Sequence, residues 1–167
     1  MRSWLLIILA VAAGGCAGYK LGPTNGVAAG SRTVKFKPFI NRTQDPRVTE
    51  YLSTSLRKQL QQDGTYRLET SGSPDIIVSG EITRLDRSGL SYQAGDVLTP
   101  QEYTLTMQAR VVAVNVNTGK TYINRLVQGS TYIRIGNDET SAERQAIPVL
   151  TDNVARNAIS LLVDGAW

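Results

Sequence analysis

The chain has 167 residues, with 18 Lys and Arg against 14 Asp and Glu, no His and a single Cys. That length suits one domain, which buries roughly 70% of the surface its unfolded chain exposes, and a hydrophobic content of 41% fits a folded body rather than a disordered or polytopic membrane chain. Without histidine the commonest metal ligand and general base are missing, and one Cys excludes an internal disulfide, a thiolate zinc cluster and an iron–sulfur centre.

Arg2 gives a positive start, and Trp4 to Ala13 form an apolar run too short to span a bilayer. The run ends in Ala13-Gly14-Gly15-Cys16, small residues leading to the only cysteine. That pattern suits lipoprotein processing, in which the thiol is diacylated and becomes the new N-terminus; Ala13 stands where such a box usually carries Leu. An ordinary secretory signal with an incidental Cys is the alternative. Thioether-linked diacylglycerol plus an amide-linked acyl chain anchors stably, whereas one chain alone is marginal. Ala17 rather than Asp follows Cys16, so the inner-membrane retention signal is absent. The expected address is the outer membrane, facing the periplasm. The expected organisation is a signal peptide over 1–15, a lipid-anchored flexible tether over 16–31 and one periplasmic domain over 32–167. Removing Arg2 leaves 17 basic against 14 acidic residues, too mild an excess for a nucleic-acid partner.

Within the domain, Val34 and Phe36 alternate with Lys35 and Lys37 and predict a strand over 33–39. Asp45-Pro46 reads as N-cap and first residue of a helix, Val48, Tyr51, Leu52, Leu56 and Leu60 line one face, and Gly64 closes it. A short strand near 66–69 and a strand over 75–86 follow, the latter with Ile76, Val78 and Ile82 on one side. Residues 89–100 read as a polar turn region. The longest strand, 102–116, carries Tyr103, Leu105, Met107, Ala109 and Val111 in phase and then Val112, Val114 and Val116, which predicts a bulge or strong twist near Val111. Asn117 to Lys120 form a hairpin turn before a strand over 121–135. Thr140-x-x-Glu143 reads as a capping box for a last helix, with Pro148 kinking it or marking its true start. The expected class is α/β, more narrowly α+β: a two-layer sandwich in order β-α-β-β-β-β-α, both helices on one face of a mixed, roughly four-stranded sheet.

Chemistry-bearing patterns are few. The neighbouring carboxylates Asp45/Glu50, Asp75/Glu81 and Glu139/Glu143 read as caps and solvated flanks, and Ser55-x-x-Lys58 lies between core leucines. No catalytic residue, metal site or cofactor is expected. The sheet face away from the helices would present Lys35, Lys37, Glu81, Thr83, Thr104, Thr106, Gln108 and Arg110, either a solvated face or a wet interface suited to a polar barrel lumen or an anionic ligand. Arg84, Arg87, Arg125 and Arg134 fall near strand ends or hairpin tips, where guanidinium groups can fork onto phosphates.

Cys16-Ala17-Gly18-Tyr19-Lys20-Leu21 resembles the Cys-Gly-Tyr-x-Leu start of the LptE family, the outer-membrane lipoproteins of lipopolysaccharide assembly. The resemblance continues in family order through Phe39-x-Asn41-x-Thr43-x-x-Pro46, Tyr66-Arg67-Leu68, Asp75-x-Ile77-Val78-x-Gly80-x-Ile82 and Glu102-Tyr103-x-Leu105-Thr106. Gly119-Lys120, Tyr132, Glu143-Arg144-x-Ala146 and Trp167 complete it. It implies a non-enzymatic protein that plugs the LptD β-barrel, supports the barrel's assembly and binds lipopolysaccharide during insertion into the outer leaflet. It also implies lipid contact through basic residues at one end of the sheet. Arg134 lies close to one such position; in the other loop Ser91 to Gly95 has no basic residue, and Arg87 is the nearby substitute. Lys37-Pro38-Phe39-Ile40-Asn41-Arg42-Thr43 equally fits CsgG-like or peptidoglycan-synthase-activator lipoproteins, whereas the long 102–135 hairpin and last helix favour LptE.

Cys16→Ser removes the thiol that would receive diacylglycerol, so the chain should lose stable membrane attachment or remain an uncleaved precursor. Metabolic labelling with a radioactive fatty acid checks this; label on the Cys16→Ser protein would refute the anchor.

Overall fold

The computed structural model describes residues 28–164 apart from 94, 136 and 137; Cys16, the signal segment, most of the tether and Trp167 lie outside the described residues. Strand β1 (Thr33–Phe36) buries Val34 and Phe36 and leaves Lys35 half-buried between them. Strand β2 (Ile40–Asn41) leads to helix α1 (Val48–Asp63), whose Val48, Leu52, Leu56 and Leu60 recur every four residues and are all buried. Each such side chain contributes about 1.5–3 kcal/mol by leaving water. Gly64 ends α1 at φ 75°, its N–H on the Leu60 carbonyl. Strand β3 (Arg67–Leu68), then β4 (Ile76–Gln93), β5 (Asp96–Asn115) and β6 (Thr121–Arg134), precede helix α2 (Glu139–Asp164).

The sheet runs β3-β1-β4-β5-β6, with β2 also on β4. Pairing is parallel among β1, β3 and β4 and between β2 and β4, and antiparallel through β4, β5 and β6. The two helices pack on each other, α1 on β1 and α2 on β5 and β6, and the buried side chains of both layers form one core. The class and the two-helix layer are as expected. The sheet has six strands rather than about four, because β2 and β3 are two residues long and too short to show an alternating pattern.

Other departures have local causes. Helix α1 begins at Val48, not at Asp45-Pro46: Asp45 Oδ1 accepts the Arg47 N–H at 2.9 Å, which turns the chain one step before the helix. The supposed turn region after Gly89 is the outer part of a hairpin, since β4 and β5 pair out to Gln93 and Asp96. Leu90 and Tyr92 remain about half exposed there, so burial imposes no clear period. In β5 the buried phase runs unbroken from Tyr103 through Ala113, and the register with β6 shifts between Ala113 and Val114, the extra residue being Tyr122 of β6. Val112 and Val114 belong instead to the opposite face, and another extra residue lies on β4, between Ile82 and Arg84. Thr140 does not cap α2; Asp138 Oδ1 accepts its N–H at 3.0 Å, and the Ser141 hydroxyl donates to the same carboxylate. Pro148 neither starts nor ends the helix, which runs on through it, and the Thr151 hydroxyl contacts the Ile147 and Pro148 carbonyls.

Helix α2 crosses β6 at Gly129. A Cβ there would stand 2.7 Å from Val154 Cγ2 and 2.8 Å from Val154 N. Asn153 and Asn157 donate their side-chain amides to the Ser130 and Gln128 carbonyls at 3.0 and 2.7 Å, tying the helix along the edge strand. Gly129→Ala should therefore cost about 1–3 kcal/mol through overpacking. Chemical denaturation of the protein measures it; an unchanged midpoint would mean that the helix can back away freely.

Candidate functional site

Because Ile82 faces Ala109 and Arg84 faces Gln108, Thr83 is an extra residue in β4, its hydroxyl 3.3 Å from the Gln108 carbonyl. In an uninterrupted strand Arg84 would share the buried face of Ile82, and Arg87 would point away from the helices. The extra residue exchanges them: Arg84 joins Gln108 on the outer face, and Arg87, opposite Leu105, joins the inner one.

On that inner face Arg87 meets Glu143 from the second turn of α2, and Tyr103 donates its hydroxyl to the same carboxylate at 3.0 Å. The Arg87 guanidinium, and then the Tyr103 hydroxyl, hold the Glu143 carboxyl below its usual range against the opposing effect of burial. Glu143 in turn pushes the Arg87 pKa up, and burial followed by the same carboxylate raises that of Tyr103. At neutral pH the node is an ion pair with a neutral phenol donor.

Beside it lies a cleft of about 620 Å³, open to solvent along the edge of β4 beyond Ile82. One wall is the loop from Arg42 to Arg47. Asn41 builds this loop, accepting from the Thr43 N–H and hydroxyl at 2.9 and 2.8 Å and donating to the Asp45 carbonyl at 2.8 Å. Asp45 forks onto Arg47 at 2.9 and 2.6 Å, and this pairing lowers its pKa. The other walls are β4 from Thr83 to Arg87 and Glu143, so four guanidinium groups face three carboxylates.

Arg134 ends β6 on the outer face, 83% exposed, its Nε and Nη2 on Glu102 Oε1 at 2.9 and 2.8 Å. The structure thus puts both expected lipid-contacting residues toward the same end of the sheet but does not bring them together: Arg87 faces the helix layer and Arg134 faces away from it. Of the other arginines singled out, Arg84 contacts Asp86 at 3.4 Å and Arg125 is exposed on β6; like Arg87, both lie within strands rather than near their ends, because β4 extends to Gln93 and β6 begins at Thr121. Lys35, Glu81, Thr104, Thr106 and Gln108 occupy the outer face as expected, half-buried by their neighbours, with Arg110 exposed among them. Gln108 donates to Gln128 at 3.0 Å and Arg110 to Asn124 at 3.2 Å across the strands. The sequence reading missed two apolar residues of this face, Ile40 beside Val112 and, across Glu81 and Arg110 from it, Leu126 of β6, each 55% exposed. It also missed Arg42 and Arg47, whose Asn-x-Thr-x-Asp turn was a visible signal.

The remaining polar patterns have structural partners. Asp75 accepts from the Thr33 N–H and hydroxyl at 2.7 and 2.8 Å, which lowers its pKa. Ser55 is buried 3.3 Å from Thr151 between the helices, and Lys58 reaches Asp152 at 3.6 Å. Among the described residues no cluster of three or more His, Cys, Asp or Glu could hold a metal ion, and no helix is long and apolar enough to cross a membrane.

A family model described as LptE, lipopolysaccharide-assembly, matches residues 31–162. No curated protein sequence matches the chain. Among solved structures, a Xanthomonas campestris protein of the DUF330 family model aligns with TM-score 0.60 at 12% identity, covering 87% of this chain and 91% of its own. A hypothetical protein of Chlamydia trachomatis aligns with TM-score 0.57 at 13% identity, over 83% of this chain and 98% of its own. A minor lipoprotein of Acinetobacter baumannii follows with TM-score 0.53 at 12% identity, over 80% and 93%. At these identities the three structures establish a shared fold.

The Glu143 node predicts a pH dependence. A carboxyl held low in the folded state stabilises the fold above its unfolded pKa of about 4.3, and that contribution disappears as pH falls through the folded value. Glu143→Gln should lower stability at pH 7 by about 1–3 kcal/mol and flatten the loss of melting temperature below about pH 4.5. Thermal unfolding from pH 3 to 7 checks both; parallel curves for the two proteins would show that Glu143 does not carry the dependence.

Proposed function

Since the chain belongs to the LptE lipopolysaccharide-assembly family, whose members are non-enzymatic outer-membrane lipoproteins, we propose that it acts as the lipid-anchored plug of an LptD β-barrel. In this role it supports the barrel's assembly and binds lipopolysaccharide on its way to the outer leaflet. The observation that carries the proposal is the uncovered outer face of the sheet. There the Thr104, Thr106 and Gln108 row of β5 lies against Tyr132, Ser130 and Gln128 of β6. Among the described residues no helix packs on this face, and its hydroxyls and amides suit the water-lined wall of a barrel lumen better than a dry interface. Cys16, carrying the acyl chains, would hold the chain on the periplasmic side.

The same match decides against the CsgG-like and synthase-activator readings that the Pro-Phe-x-Asn-x-Thr opening had left open. For lipid contact the proposal keeps Arg134 as the donor, because its pair with Glu102 is exposed to solvent, and gives Arg87 a supporting place in the cleft wall, because its partner Glu143 is buried.

Arg134→Asp replaces an exposed cation by an anion beside Glu102. It should weaken lipopolysaccharide capture by the mature chain roughly two- to tenfold at low salt, with a smaller difference at high salt. Thermal unfolding should hardly change, and association with the barrel should survive, because it rests on a much larger surface. Equal capture by the two proteins would make Arg134 an ordinary surface residue; absence of capture by the wild type would remove lipopolysaccharide binding from the proposal.

A further inference from the structure

The four guanidinium groups of the cleft are not held alike. Arg47 is fixed on Asp45 by two short hydrogen bonds, and Arg87 is fixed on Glu143. Arg42 and Arg84 have side chains 64% and 63% exposed and approach Glu81 and Asp86 only at 3.5 and 3.4 Å, too long for directed hydrogen bonds. Exposed pairs of this kind contribute almost nothing to stability, so another anion can displace them at little cost.

Two backbone features bring these residues to one place. Asn41 pairs with Ile82, and the Arg42 N–H donates to the Ile82 carbonyl at 3.0 Å, so Arg42 leaves β2 beside the extra residue Thr83. Thr83 turns Arg84 onto the outer face, the face of the Glu81 that Arg42 contacts. Two loosely held guanidinium groups, one from the residue after β2 and one from β4, therefore stand on one face at the mouth of one cleft.

We propose that Arg42 and Arg84 form an anion clamp for a phosphate monoester. A guanidinium forks onto two oxygens, and a phosphate dianion offers three oxygens and twice the charge of a carboxylate. One phosphate can thus replace two weak carboxylate contacts while bridging both arginines. The cleft volume of about 620 Å³ lies within the ~300–1,000 Å³ typical of ligand sites and exceeds what inorganic phosphate fills, so it suits a phosphorylated sugar. In a lipopolysaccharide-binding chain that sugar is the phosphorylated headgroup of the glycolipid, and to this extent the inference rests on the proposed function; free phosphate is the rival source.

The test uses the mature chain, wild type and the double variant Arg42→Gln/Arg84→Gln, with Arg84→Gln alone as a milder version should the double variant unfold. Three probes are titrated at low salt: lipopolysaccharide, the same lipopolysaccharide after enzymatic removal of its headgroup phosphates, and inorganic phosphate followed by ³¹P line broadening. The clamp predicts that the double variant binds lipopolysaccharide about tenfold more weakly, with a lesser loss for Arg84→Gln. It also predicts that wild type and variant bind the dephosphorylated form equally weakly. Equal binding of intact lipopolysaccharide by wild type and variants overturns the clamp and leaves the proposed function standing. If the wild type binds no lipopolysaccharide, lipopolysaccharide binding fails as a function; phosphate broadening lost in the double variant would then assign the clamp to free phosphate, and no broadening would overturn it.

Discussion

One face of β5 must stay dry from Tyr103 to Ala113, and much of the structure is arranged to keep it so. Six consecutive inward positions are no more than 2% exposed, on a strand flanked on both sides by others. At roughly 25 cal/mol for each Å² of apolar surface removed from water, no local hydrogen bond or surface ion pair competes with that burial. Helix α2 must lie across β5 and β6, which requires a glycine at 129 where its backbone passes. Helix α1 packs beside it and shares the same core.

That constraint gives the extra residue in β4 its consequences. While β4 follows β1, its Ile76, Val78 and Ile82 face the helices; past β2 one edge of β4 is free of β1 and β2. Inserting Thr83 there changes which arginine faces which layer, with the pairing to β5 continuing to Gln93. Arg87 then becomes an internal tie to α2 through Glu143, and Arg84 becomes an outward charge. The same insertion that shapes the cleft also fixes how the last helix is fastened at its N-terminal end. A substitution near Thr83 would therefore be felt both in stability and at the outer face.

The parts legible in the sequence were those whose signal is periodic and local. Val48, Leu52, Leu56 and Leu60 specify a helix by their spacing alone, Gly64 ends it, and alternation along β5 specifies one dry face. The parts that were not legible depend on pairing between distant segments. Valines 112 and 114 mimic a change of phase because the outer face also carries apolar residues, whereas the insertion in β4 shows only when β4 is laid against β5. Thr140-x-x-Glu143 matches a capping box locally, yet Glu143 is taken by Arg87, 56 residues earlier, and by Tyr103. The strand end at Arg134 is legible from the pattern, but the fork onto Glu102 follows from cross-strand register that spacing alone cannot supply.

Family membership, a helix-covered inner face and a largely polar outer face that no helix covers among the described residues underlie the proposal that the protein works by fitting against a water-filled wall. Affinity capture of the mature chain from detergent-solubilised outer membranes, with the mass of the captured complex measured, tests this most directly. The expected result is a complex of one chain with one β-barrel several times its mass, stable through washing because the contact surface is large. Recovery of the chain alone, or with an inner-membrane synthase in place of the barrel, would contradict it.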